Sequence, residues 1–351
     1  MQPIFFQQIY KELIWGGARM AAMYGRKLPS ESIGESWDVS CRWDDMSVAE
    51  NDAFAGQTLG ALIEADHEGI LGTALVDYDY FPLLVKIIDA KANLSVQVHP
   101  ADAYAQAVEN EPYGKTEMWY ILDAPEDAAL IIGLQDGVTK ESFRAAVDDG
   151  TVEKCLGRLP IAKGDVIYIP AGLVHAITEG VMLAEIQQNS DRTYRMYDFN
   201  RLGLDGKPRP LHVEKSIDVT DFENVLRKST VPGLAIAHES YSETYYIACP
   251  YFAFWTLSLH GKACFTSNPE RFLILTCTEG EAVLTADGGE WTIEAGRTVF
   301  IPAALGAYSL HGEATVLCSL VPDIEKDFIA PLLAAGYTRD DINEQTAIAY
   351  A

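Results

Sequence analysis

Leu94-Ser95-Val96-Gln97-Val98-His99-Pro100, followed by Lys115-Thr116-Glu117-Met118-Trp119-Tyr120, decides how the chain folds. In an extended strand, alternate side chains share a face. Leu94, Val96 and Val98 therefore point into a core, while Ser95, Gln97 and His99 point to solvent or a lined cavity. Glu117 opens a second apolar run, Met118 to Leu122, and a third run, Gly164-Asp165-Val166-Ile167-Tyr168-Ile169-Pro170-Ala171-Gly172-Leu173-Val174, leads into His175. Gln97, His99, Glu117 and His175 are four possible metal ligands on three different strands. Only a fold that brings those strands together makes them one site.

Working outward, residues 4–9, 34–40 and 81–90 read as strands, the last a nearly continuous apolar run interrupted by Lys86. Gly16-Gly17 marks a turn. Leu59, Leu62, Ile63 and Ile70 share a helical stripe over residues 59–71. Asp102 looks like the N-cap of a helix over 103–109, and Thr139 like the N-cap of another over 139–146. Further strands fall at 128–134, 161–170 and 181–187. Residues 188–219 are polar, carry Arg192, Arg195, Arg201, Lys207 and Arg209, and read as a connection past a barrel mouth. Strands resume from residue 244 to 321, and the tail after residue 324 is partly helical. Many short strands with turn signals between them predict a mainly β chain, an antiparallel barrel or jelly roll.

Gly164-Asp165-Val166-Ile167-Tyr168-Ile169-Pro170-Ala171 is echoed by Gly296-Arg297-Thr298-Val299-Phe300-Ile301-Pro302-Ala303. A second barrel is the simple explanation. Aligned on the Pro-Ala pairs, His175 falls opposite Ala307, so the second copy lacks that ligand.

The 351 residues can bury a sizeable core. No apolar stretch reaches the ~18 residues of a membrane helix, and the first twenty residues contain no signal-peptide core. A cytoplasmic protein is expected. Six cysteines without a CxxC pair read as reduced packing residues. The net charge of −25 argues against a nucleic-acid partner. It would also repel an anionic substrate, which needs a local pocket of Arg, Lys or metal.

Two imidazoles, a carboxylate and an amide oxygen suit a divalent ion of the zinc, manganese or iron class. Lys115, two positions before Glu117, shares its face and can reach a molecule held at the metal. Arg192 and Arg195, in Ser190-Asp191-Arg192-Thr193-Tyr194-Arg195, can pair with phosphate or an oxyanion. His67, His212, His238, His260 and His311 show no such grouping.

At this point the chain resembles type I mannose-6-phosphate isomerase, in its short bacterial, Bacillus-like branch, over about residues 1–320. The resemblance rests on Gln97-Val98-His99-Pro100, Tyr113-Gly114-Lys115-Thr116-Glu117-Met118-Trp119-Tyr120 and Pro170-Ala171-Gly172-Leu173-Val174-His175. Gln188-Asn189-Ser190-Asp191 through Arg195, and Leu211-His212-Val213-Glu214-Lys215, add to it. It implies two cupin (jelly-roll) β-barrels: a catalytic metal-binding domain over residues 1–220 with small helical insertions, and a degenerate second domain without ligands, plus the tail, over 221–351. It implies one zinc per chain on Gln97, His99, Glu117 and His175, and interconversion of mannose 6-phosphate and fructose 6-phosphate. Arg195 and Lys115 fall on the family's catalytic arginine and active-site lysine. Lys115 is also a candidate for binding the substrate, and Arg201 occupies the place of a phosphate-binding basic residue. The partner is thus a small sugar phosphate, with no nucleic acid or membrane, and the chain is a monomer or homodimer. Another cupin metalloenzyme or a non-catalytic sugar-phosphate sensor are the competing readings. Gln97 argues against the first, and the retention of Lys115 and Arg195 against the second.

Overall fold

A computed structural model describes every residue except Asp44, Asp52, Asp79, Leu204 and Ala351. The chain is mainly β, as its alternation requires. A six-stranded antiparallel sheet runs in the order Val166–Ile169, Glu117–Asp123, Met182–Gln188, Leu83–Asp89, Ile33–Val39 and Ile9–Gly17. A five-stranded antiparallel sheet runs Leu156–Pro160, Ala129–Leu134, His175–Ala176, Val96–Val98 and Tyr194–Tyr197. One core binds them: Ile88, Trp119 and Ile121 from the first sheet pack in a cluster with Leu130 and Ile132 from the second.

The third sheet, of nine strands, is built mainly from residues 234–320. Both ends of the chain join it. Ile4–Phe5 pairs with Val299 and Phe300, and Ala347–Ile348 runs parallel to Ile247 and Ala248. Phe81 of the first half meets Phe272 and Phe300 at ring distances of 5.3 and 6.2 Å. The two halves therefore share a hydrophobic core. Both copies of the internal echo are strands, Val166–Ile169 and Arg297–Ile301, each followed by Pro-Ala. Among the described residues, no helix is long and apolar enough to cross a membrane.

Several local expectations need correction. Gly16-Gly17 ends a strand, Ile9–Gly17, instead of forming a turn. A Cβ at Gly16 would come within 2.4 Å of the Gly34 backbone, and one at Gly17 equally close to the Asp89 carboxylate. These glycines permit close approach. The stripe over 59–71 is two helices, Leu59–Ala65 and His67–Leu71, because Asp66 accepts from Gly69 N–H at 3.0 Å and starts the second. Asp102 does not cap a helix. It begins one, and its carboxylate accepts from Gly114 N–H at 2.7 Å and Gln188 Nε2 at 2.8 Å. Thr139 does cap its helix, in a reciprocal pair with Ser142. Residues 188–219 hold a strand, Tyr194–Tyr197, and a helix, Val213–Val219.

Candidate active site

Register brings the candidates together. Gln97 is the Cα partner of His175 on one side and of Arg195 on the other. Glu117 faces Ile169 and Gln187 in the opposite sheet. His175 is aimed by the Pro170-Ala171-Gly172 turn: Gly172 sits at φ +88°, where glycine is strongly favoured, and donates its N–H to the His99 carbonyl at 3.0 Å.

His99, Glu117 and His175 converge, with one ligand atom from each lying within 4.8 Å of the others. All three are fully buried. His99 donates Nδ1–H to the Arg192 carbonyl at 3.0 Å, and His175 donates Nδ1–H to the Leu173 carbonyl at 2.8 Å. These bonds leave each Nε2 as a bare lone pair. Each Nε2 lies 3.4 Å from an oxygen of Glu117, itself an acceptor. Neither Nε2 and neither Glu117 oxygen has an aligned hydrogen-bond partner, although Lys115 Nζ stands 2.9 Å from Oε2. Buried lone pairs aimed at one another are costly unless a cation stands between them. The donor set therefore fits a divalent metal, and the backbone bonds to Nδ1 are the outer support such ligands use.

The charge states agree. Burial, then the Lys115 charge, pushes the His99 imidazole down to about 3. Burial also lowers His175. For Glu117, burial favours the neutral acid, but the opposing effects, led by the Lys115 charge, hold the carboxyl well below its ordinary value. The set is two neutral imidazoles and a carboxylate, the forms that ligate.

A cavity of about 230 Å³ adjoins the cluster, and Gln97, Lys115 and Arg195 line it. So do three charged groups that reading the strands did not single out: Lys86, Glu185 and Glu35. Lys86 Nζ lies 3.0 Å from Glu185 and 3.5 Å from Glu35, and Trp119 Nε1–H donates to Glu185 at 3.0 Å. Burial disfavours the Lys86 ammonium, but Glu185 and then Glu35 overcome this and raise its pKa. Burial, then Glu117, raises that of Glu185. The available signal was a single charge inside each of two apolar runs.

Arg195 donates Nε–H to Ser95 Oγ at 3.2 Å and Nη1 to the Pro210 carbonyl at 3.0 Å. Burial, then neighbouring Arg209, lowers its pKa. Arg209 also lines the cavity and is clamped by Asp198 through Nε at 2.7 Å and Nη2 at 2.6 Å. Arg201 grips the same Asp198 at 2.8 Å and bonds the Asn93 carbonyl. It is not among the described residues lining this cavity. Two guanidiniums thus grip one carboxylate with Arg195 close by, a local positive excess in a chain of net charge −25.

Residues 4–145 match the phosphomannose isomerase type I catalytic domain, and residues 242–321 the mannose-6-phosphate isomerase cupin domain. The chain is 38% identical over 318 residues to mannose-6-phosphate isomerase ManA of Bacillus subtilis, covering 91% of this chain and 98% of that protein. The chain belongs to the type I mannose-6-phosphate isomerase family. A mannose-6-phosphate isomerase of Streptococcus mutans is 33% identical, with 91% and 98% covered. The crystal structure of the mannose 6-phosphate isomerase from Bacillus subtilis superposes with a TM-score of 0.85 at 33% identity, covering 91% of this chain and 99% of that one. As a type I isomerase the chain carries a cupin-family fold and a His-Glu-His cluster able to hold a metal cofactor.

Proposed function

We propose that this isomerase interconverts mannose 6-phosphate and fructose 6-phosphate through an enediol, with one zinc held by Gln97, His99, Glu117 and His175. The observation that carries this is the pair of buried imidazole Nε2 lone pairs facing the Glu117 carboxylate, beneath a cavity rimmed with guanidiniums. When bound, the zinc supplies Lewis acidity at the reacting oxygens.

The residues of the chain do the remainder. In the open-chain aldose, the C2 proton must leave as the C1 carbonyl becomes an enediol hydroxyl, and reprotonation at C1 leaves the carbonyl at C2. Negative charge develops on the oxygens. Lys115, fixed by its contact with Glu117, and Arg195, fixed by Ser95 and Pro210, offer donors for that charge. An ammonium paired with a carboxylate is a poor base. The carbon-to-carbon proton shuttle is therefore assigned to Glu185, whose proton affinity burial increases and whose position Lys86 and Trp119 hold. Arg209 receives the phosphate, with Asp198 bracing it. Residues 1–220 form the metal-bearing part in this reading, and 221–351 the part without ligands. The six free cysteines fit a reducing cytoplasm.

The test is to incubate chelator-treated and zinc-restored protein with mannose 6-phosphate and assay fructose 6-phosphate. Turnover should vanish and return. Zinc-restored protein that binds the sugar phosphate without converting it would be a sensor, and the proposal would fail.

A further inference from the structure

We propose that a second cleft of this chain is a binding site for an alkylated ammonium cation. The cleft holds about 670 Å³, nearly three times the cavity beside the metal cluster. It lies on the other face of the metal-bearing sheet. Gln187, the strand partner of Glu117, and Gln188 are successive strand residues, so their side chains leave opposite faces. Gln188 lines this cleft, and the two cavities share no described lining residue.

The chemistry of the walls selects the ligand. Tyr78, Tyr80, Tyr113 and Tyr251 supply aromatic surface. Trp43 extends it outward, its ring 5.5 Å from that of Tyr80. Trp43 is 69% exposed and Tyr80 43%, a costly placement for large rings. Asp102 and Glu111 add negative charge, and none of the described lining residues is Lys or Arg. Aromatic faces beside carboxylates attract cations and repel anions, so a sugar phosphate is the wrong ligand here.

Asp102 already accepts from Gln188 Nε2 at 2.8 Å and Gly114 N–H at 2.7 Å, and Glu111 accepts from Arg192 Nε at 3.0 Å. These bonds fall on one oxygen of each carboxylate, Asp102 Oδ1 and Glu111 Oε1, and hold both side chains in place. Asp77 is a third carboxylate in the lining. A quaternary ammonium joins positive charge to apolar surface, which suits a cleft lined by four tyrosines and three carboxylates. The rigidity has a visible origin. Gln188 Oε1 accepts from Thr116 N–H at 2.8 Å, between Lys115 and Glu117, and the Arg192 carbonyl holds His99. The floor of this cleft is thus tied to the scaffold of the metal cluster.

The test is calorimetric titration of the zinc-loaded full chain with choline and, separately, with its uncharged isostere 3,3-dimethyl-1-butanol. Choline should bind saturably at one site per chain, and the alcohol at least about tenfold more weakly. Tyr251→Ala and Tyr80→Ala should each weaken choline several-fold, with melting temperatures reported alongside. Tyr80 is exposed enough that its variant folds even if the other does not. Absence of choline binding, equal binding of the alcohol, or unchanged choline affinity in a folded Tyr80→Ala protein would each overturn the assignment. None of these readouts requires isomerase turnover.

Discussion

At the scale of single residues, the site is a problem in buried charge. Arg195 is polar on one side to Ser95 and Pro210 and open to the cavity on the other. Arg195→Ala should keep metal content and melting temperature while lowering kcat by about 10²–10³-fold, the usual cost of one charge-stabilising donor. Metal analysis beside steady-state kinetics checks it, and unchanged turnover would remove Arg195 from the mechanism. Lys86 and Glu185 form a fully buried pair. Removing one partner strands the other charge, so Lys86→Met should destabilise by about 3–5 kcal/mol. Glu185→Gln alone should abolish proton transfer, and Lys86→Met/Glu185→Gln should recover part of the lost stability without recovering activity. Denaturant melts and solvent-hydrogen exchange into the sugar separate these effects. His99 was legible in the sequence because strand alternation places it on a polar face, and Glu117 and His175 because each stands at the end of an apolar run. Lys86 and Glu185 were not singled out, because a charge inside an apolar run is ambiguous until a partner strand brings its counter-charge.

At the scale of elements, short strands with strict alternation were readable, and breaks in the pattern were less so. Residues 188–219 read as polar connection because Tyr194–Tyr197 is a brief strand whose pairing with Val96–Val98 shifts register between Arg195 and Tyr197. Gly16-Gly17 signalled a turn because glycine serves both turns and close approach, and only the neighbouring backbone distinguishes them. Asp102 presented a helix cap, but its carboxylate is used by residues far away in the chain, which no local pattern encodes. The loop after Tyr197 depends on Asp198. Burial favours its neutral form, but Arg209 and Arg201 outweigh this and lower its pKa. A depressed folded pKa gives stabilisation that is full above the unfolded value of about 4 and lost as pH falls through the folded value. Protection against hydrogen exchange over residues 198–212, taken relative to the intrinsic rate at each pH, should therefore fall below about pH 4. Asp198→Asn should loosen the loop at neutral pH by roughly 2–3 kcal/mol, abolish the acid dependence and raise KM for the sugar phosphate. Acid dependence that survives in the variant would locate the titrating group elsewhere.

At the scale of the whole molecule, two features govern behaviour: how the halves are joined, and how an acidic protein admits an anion. The junction is polar at its centre. Arg26, buried, pairs with Asp38 at 2.6 Å and bonds the Gly296 carbonyl, while Thr298 Oγ1 donates to Asp38 at 2.9 Å. Asp38→Ala should cost about 3–5 kcal/mol, since it leaves a guanidinium unpaired in the interior. A single unfolding transition should persist, because the phenylalanine cluster still spans both halves.

The charge question gives a sharper expectation. The chain carries −25 overall, and the substrate phosphate is also negative. The repulsion acts over the whole surface, whereas the attraction of Arg195 and Arg209 acts within one cavity. Salt shortens the screening length from ~30 Å at 0.01 M to ~8 Å at 0.15 M. That range removes most of the long-distance repulsion and leaves close, partly buried contacts largely intact. Proteins that attract their ligand from afar lose association rate as salt rises. Here the sign should be opposite, with kcat/KM for mannose 6-phosphate climbing as sodium chloride is raised through this interval and kcat little changed. In Arg209→Met the rise should persist from a lower starting value, because the variant weakens the local attraction without altering the global field. Kinetics across ionic strength decide the matter: a steady fall from the lowest salt would mean that the cationic cavity dominates even at long range, and that the acidic surface plays no part in substrate entry.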